Sequence, residues 1–299
     1  RATVEEYPGV CLLGEVNAGD DSISTAGEYT LGHDRMHFAY TGALFQEYRP
    51  SPRELTEIIR HVQRHFPTGA HCWSASNHDN MRIASRWKPA NPELQSAFDR
   101  WYLAFLLALH GSVCLYQGEE LGLPEADVPY ERIQDPYGKT LWPEFKGRDG
   151  CRTPMPWVKD APNAGFSEAT DTWLPIPGIH SQMAVDVQEA DSGSLLHFTR
   201  ALITWRKSCP PMVHGNMRLL ASLPEGMVGW VRTFDDSPTA VLCLFNALEE
   251  ESVLPVPEFS TVAGTFAAST GMLENNAILL PPLGFLLAEI PGESQTLWL

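Results

Sequence analysis

The sequence predicts an α/β protein with a parallel sheet in its first part and a small antiparallel β domain at its end. Short apolar runs alternate with helical segments between residues 10 and 116, and this β-α-β-α-β order is typical of a parallel sheet. After residue 212 the helical spacing stops, and short strand-like runs follow one another between turn residues. We therefore divide the chain into residues 1–212 and residues 213–299.

Four apolar runs are the predicted strands of the parallel sheet. Strands that are buried on both faces appear in a sequence as short, continuous apolar segments rather than as alternating ones. The four runs are residues 10–15, 36–44, 71–79 and 112–116. The residues between the first two runs are mostly polar, and we interpret them as a loop.

Helices are predicted between and after these strands. The first begins at Ser51 and Pro52, an N-cap residue followed by a proline, and continues to residue 65 with its apolar residues on one face. The second starts at Pro92 and ends before Gly111. The third covers residues 194–207, and a pair of prolines stops it shortly afterwards.

The segment from residue 118 to about residue 191 is rich in proline, glycine and tryptophan and shows little periodicity. A loop of this length within a compact domain usually has a function. Beyond the last helix, the predicted strands of the antiparallel domain are residues 228–233, 240–244 and 277–280.

The charge and the cysteine pattern exclude several classes of function. The formal net charge of -16 argues against binding to nucleic acids or anionic membranes and suits a neutral substrate such as a sugar. The longest strongly apolar stretch, residues 101–109, is too short to span a bilayer. The six cysteines show no CxxC pair and no metal-ligand spacing, so we expect a reduced, cytoplasmic protein without a metal or cofactor.

Two of the predicted strands end in carboxylates. Glu15 closes the first run, and Asp79 lies in the stretch HCWSASNHDNMRIASR, where apolar residues stop at a cluster of titratable ones. Because the carboxyl ends of parallel strands form the site-bearing face, we expect the two carboxylates to converge. Taken alone, the Asn-His-Asp cluster is more often an ordinary polar loop. Paired carboxylates at a sugar-binding face can divide an acid role from a charge-stabilising role, as in glycoside hydrolysis.

Four motifs in order carry a family resemblance. They are GEV at residues 14–16, SNHD at 76–79, YQGEELGL at 116–123 and GRDGCRTPMPW at 147–157. Together they resemble the bacterial α-glucosidase branch of the α-amylase family, glycoside hydrolase family 13, over nearly the whole chain. The resemblance implies the C-terminal half of a (β/α)8 TIM barrel over residues 1–212 and a small antiparallel β-sandwich domain over residues 213–299.

The resemblance also implies a retaining α-glucosidase that releases terminal α-linked glucose from α-glucosides or maltooligosaccharide-type substrates. In that family the catalytic nucleophile is an Asp on the strand before the one that ends in Glu15. The chain begins with Arg1, about one helix length before Glu15, so we expect the C-terminal half of a longer enzyme. Its partner would be the missing N-terminal half of the barrel, and the chain alone should be inactive.

Four residues are the candidate site by this resemblance. Glu15 resembles the general acid/base, and Asp79 resembles the carboxylate that binds sugar hydroxyls and stabilises an oxocarbenium-like transition state. His78 resembles a donor to the same sugar, and Arg152 resembles the clamp on the non-reducing-end glucose. The alternatives are a loop hydrogen bond for Glu15, a structural histidine and a structural ion pair of Arg152. Residues 80–81 depart from the commoner Gln-Pro of the family.

Two other interpretations remain open. A non-catalytic relative that serves as a membrane-transporter partner subunit tends to lose the acid and the NHD cluster, and both are present here. A complete carbohydrate-binding protein requires a closed fold. In the resemblance Glu119 and Glu120 support the site rather than react.

Overall fold

A computed structural model describes residues 1–17, 21–32, 34–66, 70–257, 262 and 264–299. Four strands form its parallel part: β1 (Leu13–Val16), β2 (Phe38–Thr41), β3 (Cys72–Trp73) and β4 (Ser112–Val113). β1 pairs with β2, β3 pairs with β4, and a parallel bridge between Ala39 and His71 joins the two pairs. The strands therefore lie side by side in sequence order, which confirms the predicted parallel pairing.

The observed strands are shorter than the runs that the sequence predicts. β3 contains two residues because the chain beyond Trp73 makes local contacts, such as the hydrogen bond that Ser74 Oγ donates to the Ser76 carbonyl at 2.7 Å. β1 starts at Leu13, so the first three residues of the predicted run 10–15 precede it. The runs are apolar because their side chains pack in the core, but only part of each run is hydrogen-bonded to a neighbouring strand.

Eleven helices lie in the described part of the chain. They are α1 (Ala2–Glu5), α2 (Ser22–Thr30), α3 (Pro52–His65), α4 (Ile83–Arg86), α5 (Gln95–Ala108), α6 (Pro136–Leu141), α7 (Gly178–Gln182), α8 (Val185–Ala190), α9 (Leu195–Ser208), α10 (Pro210–Val213) and α11 (Gln295–Trp298). Among the described residues, none of these helices combines the length and the apolar character that crossing a bilayer requires.

The predicted helix over residues 51–65 is confirmed as α3. Ser51 Oγ accepts a hydrogen bond from the Glu54 amide at 3.3 Å, and Glu54 Oε2 accepts one from the Ser51 amide at 2.8 Å. This reciprocal capping box satisfies amides that otherwise lack partners at a helix start. α5 and α9 confirm the other two predicted helices, with a short 3-10 turn over Pro92–Leu94 before α5.

α2 occupies residues that the sequence analysis interprets as a loop. It begins after Asp21, whose Oδ1 accepts a hydrogen bond from the Ser24 amide at 3.0 Å. The helix buries only three small residues, so no apolar period marks it in the sequence. Residues 18–20 of the predicted loop lie outside the described residues.

The antiparallel part follows α10, and its described residues form eight strands. They are β5 (Asn216–Leu219), β6 (Met227–Thr233), β7 (Thr239–Asn246), β8 (Ser252–Pro255), β9 (Gly264–Thr265), β10 (Met272–Glu274), β11 (Ala277–Leu280) and β12 (Phe285–Pro291). A five-stranded sheet has the order β5-β6-β7-β12-β9, and a three-stranded sheet has the order β10-β11-β8. Leu244 of the larger sheet and Ile278 of the smaller one share a buried apolar cluster.

A continuous core joins the parallel part to the antiparallel part. The ring of Trp101 on α5 lies 6.2 Å from that of Phe245 on β7, and the ring of Phe105 lies 5.5 Å from that of Trp230 on β6. The fully buried Arg232 of β6 donates hydrogen bonds to the carbonyls of Ala108, Leu109, Met212, Gly215 and Asn216. These contacts fix the end of α5 against the larger sheet.

Candidate active site

The structure brings Glu15, His78 and Asp79 together. Glu15 lies near the carboxyl end of β1, and the other two residues lie in the loop after β3. One nitrogen or carboxylate oxygen of each residue lies within 4.8 Å of those of the other two. All three side chains are exposed, because the parallel strands end at this edge of the sheet.

The side chain of Asn77 connects the Glu15 carboxylate to the backbone of Asp79. Asn77 is only 5% exposed, and its Nδ2 donates a hydrogen bond to Glu15 Oε1 at 3.0 Å. Its Oδ1 accepts one from the backbone amide of Asp79 at 2.9 Å and another from Asn80 Nδ2 at 2.8 Å. A single buried carboxamide therefore sets the distance between β1 and the loop that carries Asp79. Asn77 lies within the SNHD motif but was not predicted as a site residue.

Tyr40 is a second residue that the sequence analysis omits. It lies on β2 directly opposite Glu15 in the register of the two strands. Burial, and after it the interaction with Glu15, raises the pKa of Tyr40 well above its ordinary value. The phenol is consequently protonated beside Glu15, where it offers a hydrogen-bond donor.

Two arginines converge on Asp79. Arg152 Nη2 donates to Asp79 Oδ1 at 2.8 Å, and its Nε donates to the carbonyl oxygen of His78 at 2.6 Å. Arg148 Nη1 donates to the same Oδ1 at 3.0 Å. The structure therefore places Arg152 at the predicted edge and adds Arg148, which belongs to the same GRDGCRTPMPW motif.

Arg148 is itself held by a second carboxylate. Its Nε and Nη2 donate to the two oxygens of Asp135 at 2.8 Å and 3.0 Å. This forked pair, in which the Arg148 hydrogen bond is the main cause, lowers the pKa of Asp135 well below its ordinary value. Asp135 is buried, so Arg148 reaches Asp79 from a fixed anchor rather than from a free side chain.

The charges at this edge favour a neutral, hydroxylated ligand. The spacing of Glu15, His78 and Asp79 has the size of a cation site. However, two guanidinium groups lie on Asp79, and their positive charge opposes a cation at the same oxygen. The other oxygen of Asp79, Oδ2, lies 3.6 Å from His78 Nε2. The edge thus places carboxylate acceptors next to guanidinium and imidazole donors, and sugar hydroxyls can bind to both kinds of group.

Behind this edge, Arg82 forms hydrogen bonds to the motifs at residues 116–123 and 147–157. Its guanidinium donates to the carbonyls of Gln117 and Cys151 at 2.6 Å and 3.0 Å, and its backbone amide donates to Glu125 Oε2 at 2.8 Å. Burial raises the pKa of Glu125 to about 7. A fully buried arginine with carbonyl partners positions the loops after β4 and around residue 151, and its side chain is 1% exposed overall.

Glu119 lies in the same buried layer. Burial raises its pKa to about 7, and its Oε2 accepts a hydrogen bond from the Tyr116 amide at 2.9 Å. An open cavity of about 410 Å³ adjoins Arg152, and Trp157 and Trp173 are among the residues that line it.

Comparisons with known proteins show the family of this chain. Residues 2–215 match the family described as the α-amylase catalytic domain. A probable α-glucosidase of Rhizobium meliloti is 40% identical over 257 residues, which are 86% of this chain and 46% of that protein. An oligo-1,6-glucosidase of Parageobacillus thermoglucosidasius is 28% identical over 61% of this chain and 35% of its own length.

Solved structures give the same relationship. The crystal structure of an α-glucosyl transfer enzyme, XgtA, is 36% identical with a TM-score of 0.86, and the match covers 97% of this chain and 52% of that one. An isomaltulose synthase of Erwinia rhapontici has a TM-score of 0.81 at 18% identity, which is a likeness of fold. The chain spans about half the length of the curated relative from Rhizobium and of the XgtA chain.

Proposed function

The chain belongs to the α-amylase family, and from that premise we propose that it supplies the general acid/base and a second catalytic carboxylate of a retaining α-glucosidase. The whole enzyme releases terminal α-linked glucose from oligosaccharides or simple α-glucosides. The proposal rests on the Asn77 carboxamide, which binds both Glu15 and the backbone of Asp79 and so holds the two residues at one site. A non-catalytic role as a carbohydrate-binding or transporter-partner subunit is not supported, since the matching curated relatives are named as glucosidases.

Each residue has a distinct role in this mechanism. Glu15 protonates the departing glycosidic oxygen and later deprotonates the attacking water. Asp79 binds hydroxyl groups of the terminal glucose and stabilises the positive charge that develops in the transition state. His78 donates to the same sugar. Arg152 binds the terminal glucose and also fixes the carboxylate of Asp79, and no cofactor is needed.

We assign residues 1–212 to the second half of a (β/α)8 TIM barrel and residues 213–299 to a β-sandwich domain. Support comes from four parallel strands in sequence order and from two antiparallel sheets that share a buried cluster. The chain is about half as long as the relatives named above. The nucleophile then comes from an N-terminal segment outside this sequence, and that segment completes the barrel.

The same proposal gives the compartment and the type of substrate. All six cysteines are free thiols in the structure, and four of them are buried, as suits a reduced cytoplasmic protein. A net charge of -16 disfavours nucleic acid and anionic lipid and leaves an uncharged sugar as the natural substrate.

Glucosyl transfer is a second candidate function with the same chemistry. It replaces the water of the second step by the hydroxyl of an acceptor. The name of the 36% identical relative, an α-glucosyl transfer enzyme, favours it. So does the open cavity beside Arg152, which Trp157 and Trp173 line with apolar surface. Product analysis with a sugar donor and an excess of an added alcohol separates transfer from hydrolysis.

The decisive experiment is the Glu15→Gln variant of the full-length protein. For a disaccharide, whose leaving group needs protonation, the rate should fall by about 10²–10⁴-fold, the usual contribution of general acid catalysis. For an aryl α-glucoside with a good leaving group, the first step needs little acid help, so the loss should be smaller and added azide should restore turnover.

A matched control is Glu47→Gln, which changes an exposed carboxylate outside the candidate site. Its activity should equal that of the unmodified protein on both substrates. Equal losses on both substrates in Glu15→Gln, without rescue by azide, would remove Glu15 from the acid/base role.

A further inference from the structure

A second cluster of ionisable side chains lies outside the candidate active site. It consists of Asp21, His61 and His65, and one ligand atom of each lies within 4.8 Å of those of the other two. We propose that these three residues form a binding site for a divalent transition-metal ion, for which Zn²⁺ is the natural probe. The proposal is independent of the function assigned above, since it uses none of the same residues.

The two histidines are placed as metal ligands by the helix that carries them. His61 and His65 are four residues apart on α3, so their side chains project from the same face on successive turns. Their ring centres are 4.8 Å apart. Two imidazoles and one carboxylate form a donor set that zinc binds, with open positions for water. The side chains are only partly buried and can close the remaining gap by rotation.

Asp21 supplies the third ligand from a neighbouring helix. It is the N-cap of α2, and its Oδ1 already accepts hydrogen bonds from the Ser24 amide at 3.0 Å and from His61 Nε2 at 2.9 Å. In the described part of the chain no hydrogen bond reaches its Oδ2. The carboxylate can therefore bind a metal through one oxygen while the other continues to cap the helix.

α2 and α3 are close enough for such a link to be rigid. A Cβ atom added at Gly27 of α2 would lie 2.6 Å from the carbonyl oxygen of His65, so only glycine permits this approach of the backbones. A metal held by both helices would stabilise the folded state by mass action, because the unfolded chain does not bring the three ligands together.

Arg64 competes with a metal ion for His61, so its removal should change metal affinity in a predictable direction. Its Nη2 donates to His61 Nδ1 at 3.2 Å. Because a guanidinium only donates, Nδ1 is the acceptor and Nε2 carries the proton that points at Asp21. A metal at Nε2 moves that proton to Nδ1, and the exposed Arg64 side chain must then turn away. Removal of Arg64 should consequently strengthen metal binding.

The test is a Zn²⁺ titration of the full-length protein after treatment with a chelator, followed by calorimetry and by the shift in Tm. We expect one site at this cluster and a rise in Tm that saturates with it. His61→Ala and His65→Ala should each weaken binding at least about tenfold and abolish the shift. Arg64→Gln should tighten binding several-fold. His197→Ala, which removes a partly exposed histidine on α9, should change nothing.

The other outcomes are equally clear. If Asp79→Asn abolishes Zn²⁺ binding while His65→Ala does not, the metal belongs to the cluster at Glu15 and the proposal is wrong. Binding that survives both histidine variants, or that weakens in Arg64→Gln, also overturns it. Circular dichroism of the two histidine variants, and His65→Gln in place of His65→Ala, separate lost ligands from lost folding. Loss of glucosidase activity in Glu15→Gln leaves this test untouched.

Discussion

Strands β1 and β7 differ in the number of strands beside them and in the exposure of their apolar side chains. β1 has one neighbour among the described strands, and Leu13 on it is 46% exposed although it is apolar. β7 lies between two neighbours, and Leu242, Leu244 and Phe245 on it are completely buried. The parallel region that carries the candidate site is therefore open along β1, whereas β7 is paired on both sides.

The two regions also differ in the charges that they bury. The buried acidic side chains of the described residues are Asp99, Glu119, Asp135 and Asp149, and all of them precede β5. The antiparallel region buries Arg232, whose hydrogen-bond partners are backbone carbonyls. Burial lowers the pKa of Arg232 to about 10, so it stays charged at neutral pH. The buried acidic groups thus all lie before β5, and we expect the pH dependence of stability to originate in that part of the chain.

The largest expected effect concerns the open edge of β1. Expressed alone, the chain should self-associate and should lack glucosidase activity, because an unpaired apolar edge templates aggregation and the proposed nucleophile lies elsewhere. Size-exclusion chromatography and turnover of a chromogenic α-glucoside measure both properties. Co-expression with the N-terminal half should restore them. A soluble monomer that hydrolyses the substrate would contradict both the open edge and the proposed half barrel.

Changes in the antiparallel region should affect stability rather than catalysis. Arg232→Ala leaves several buried carbonyls without a donor, and we expect a loss of about 3–5 kcal/mol in the free energy of unfolding. Arg218→Ala on the neighbouring β5 changes an exposed side chain and should cost less than about 0.5 kcal/mol. Denaturant midpoints of the full-length protein measure both. Equal values for the two variants would show that the joint between α5 and the larger sheet contributes little.

The pH dependence of stability should originate in the parallel region. Burial raises the pKa of Glu119 from 4.5 to about 7, so the folded state holds this proton more tightly than the unfolded one. The associated stability is fully present below pH 4.5 and is lost as the pH rises through about 7, on the order of 3 kcal/mol.

Glu119→Gln removes this titration and keeps an acceptor for the Tyr116 amide. The stability of the variant relative to the unmodified protein should increase between pH 4.5 and about 7 and then stay constant. Chemical denaturation at several pH values measures it, with Glu47→Gln as the exposed control. A parallel pair of pH curves would show that Glu119 does not titrate in this range.

The smallest expected effect concerns Asn77, which positions the two carboxylates of the parallel region. Asn77→Ala should lower kcat/KM by about 10–100-fold, because Glu15 and the Asp79 loop lose their common partner. Asn80→Ala removes a hydrogen bond to Asn77 without touching Glu15, and its effect should be several times smaller. The loss should also be larger for a disaccharide than for an aryl α-glucoside, because Glu15 acts on the leaving group. Equal losses on the two substrates together with a lower Tm would reduce Asn77 to a structural residue.

Local patterns were sufficient to predict a large part of this molecule. The capping residues Ser51 and Glu54 mark the start of α3, and the apolar run at residues 277–280 coincides with β11. The approach of Glu15 and Asp79 followed from the geometry of parallel strands, whose carboxyl ends meet at one edge. In each of these cases the cause lies within a few residues of the element or in a general property of the sheet.

Other features depend on partners that are distant in the chain. Asn77 reaches Glu15 across 62 positions, Arg148 reaches Asp79 across 69, and Arg232 reaches Ala108 across 124. No periodicity connects residues so far apart, because side-chain hydrogen bonds form only after the elements have packed. α2 was missed for a related reason, since its stability comes from the Asp21 cap and from contact with α3 rather than from an apolar face of its own. The amino-acid sequence thus specified most of the elements and the edge where the carboxylates lie, whereas packing selected the residues that hold them there.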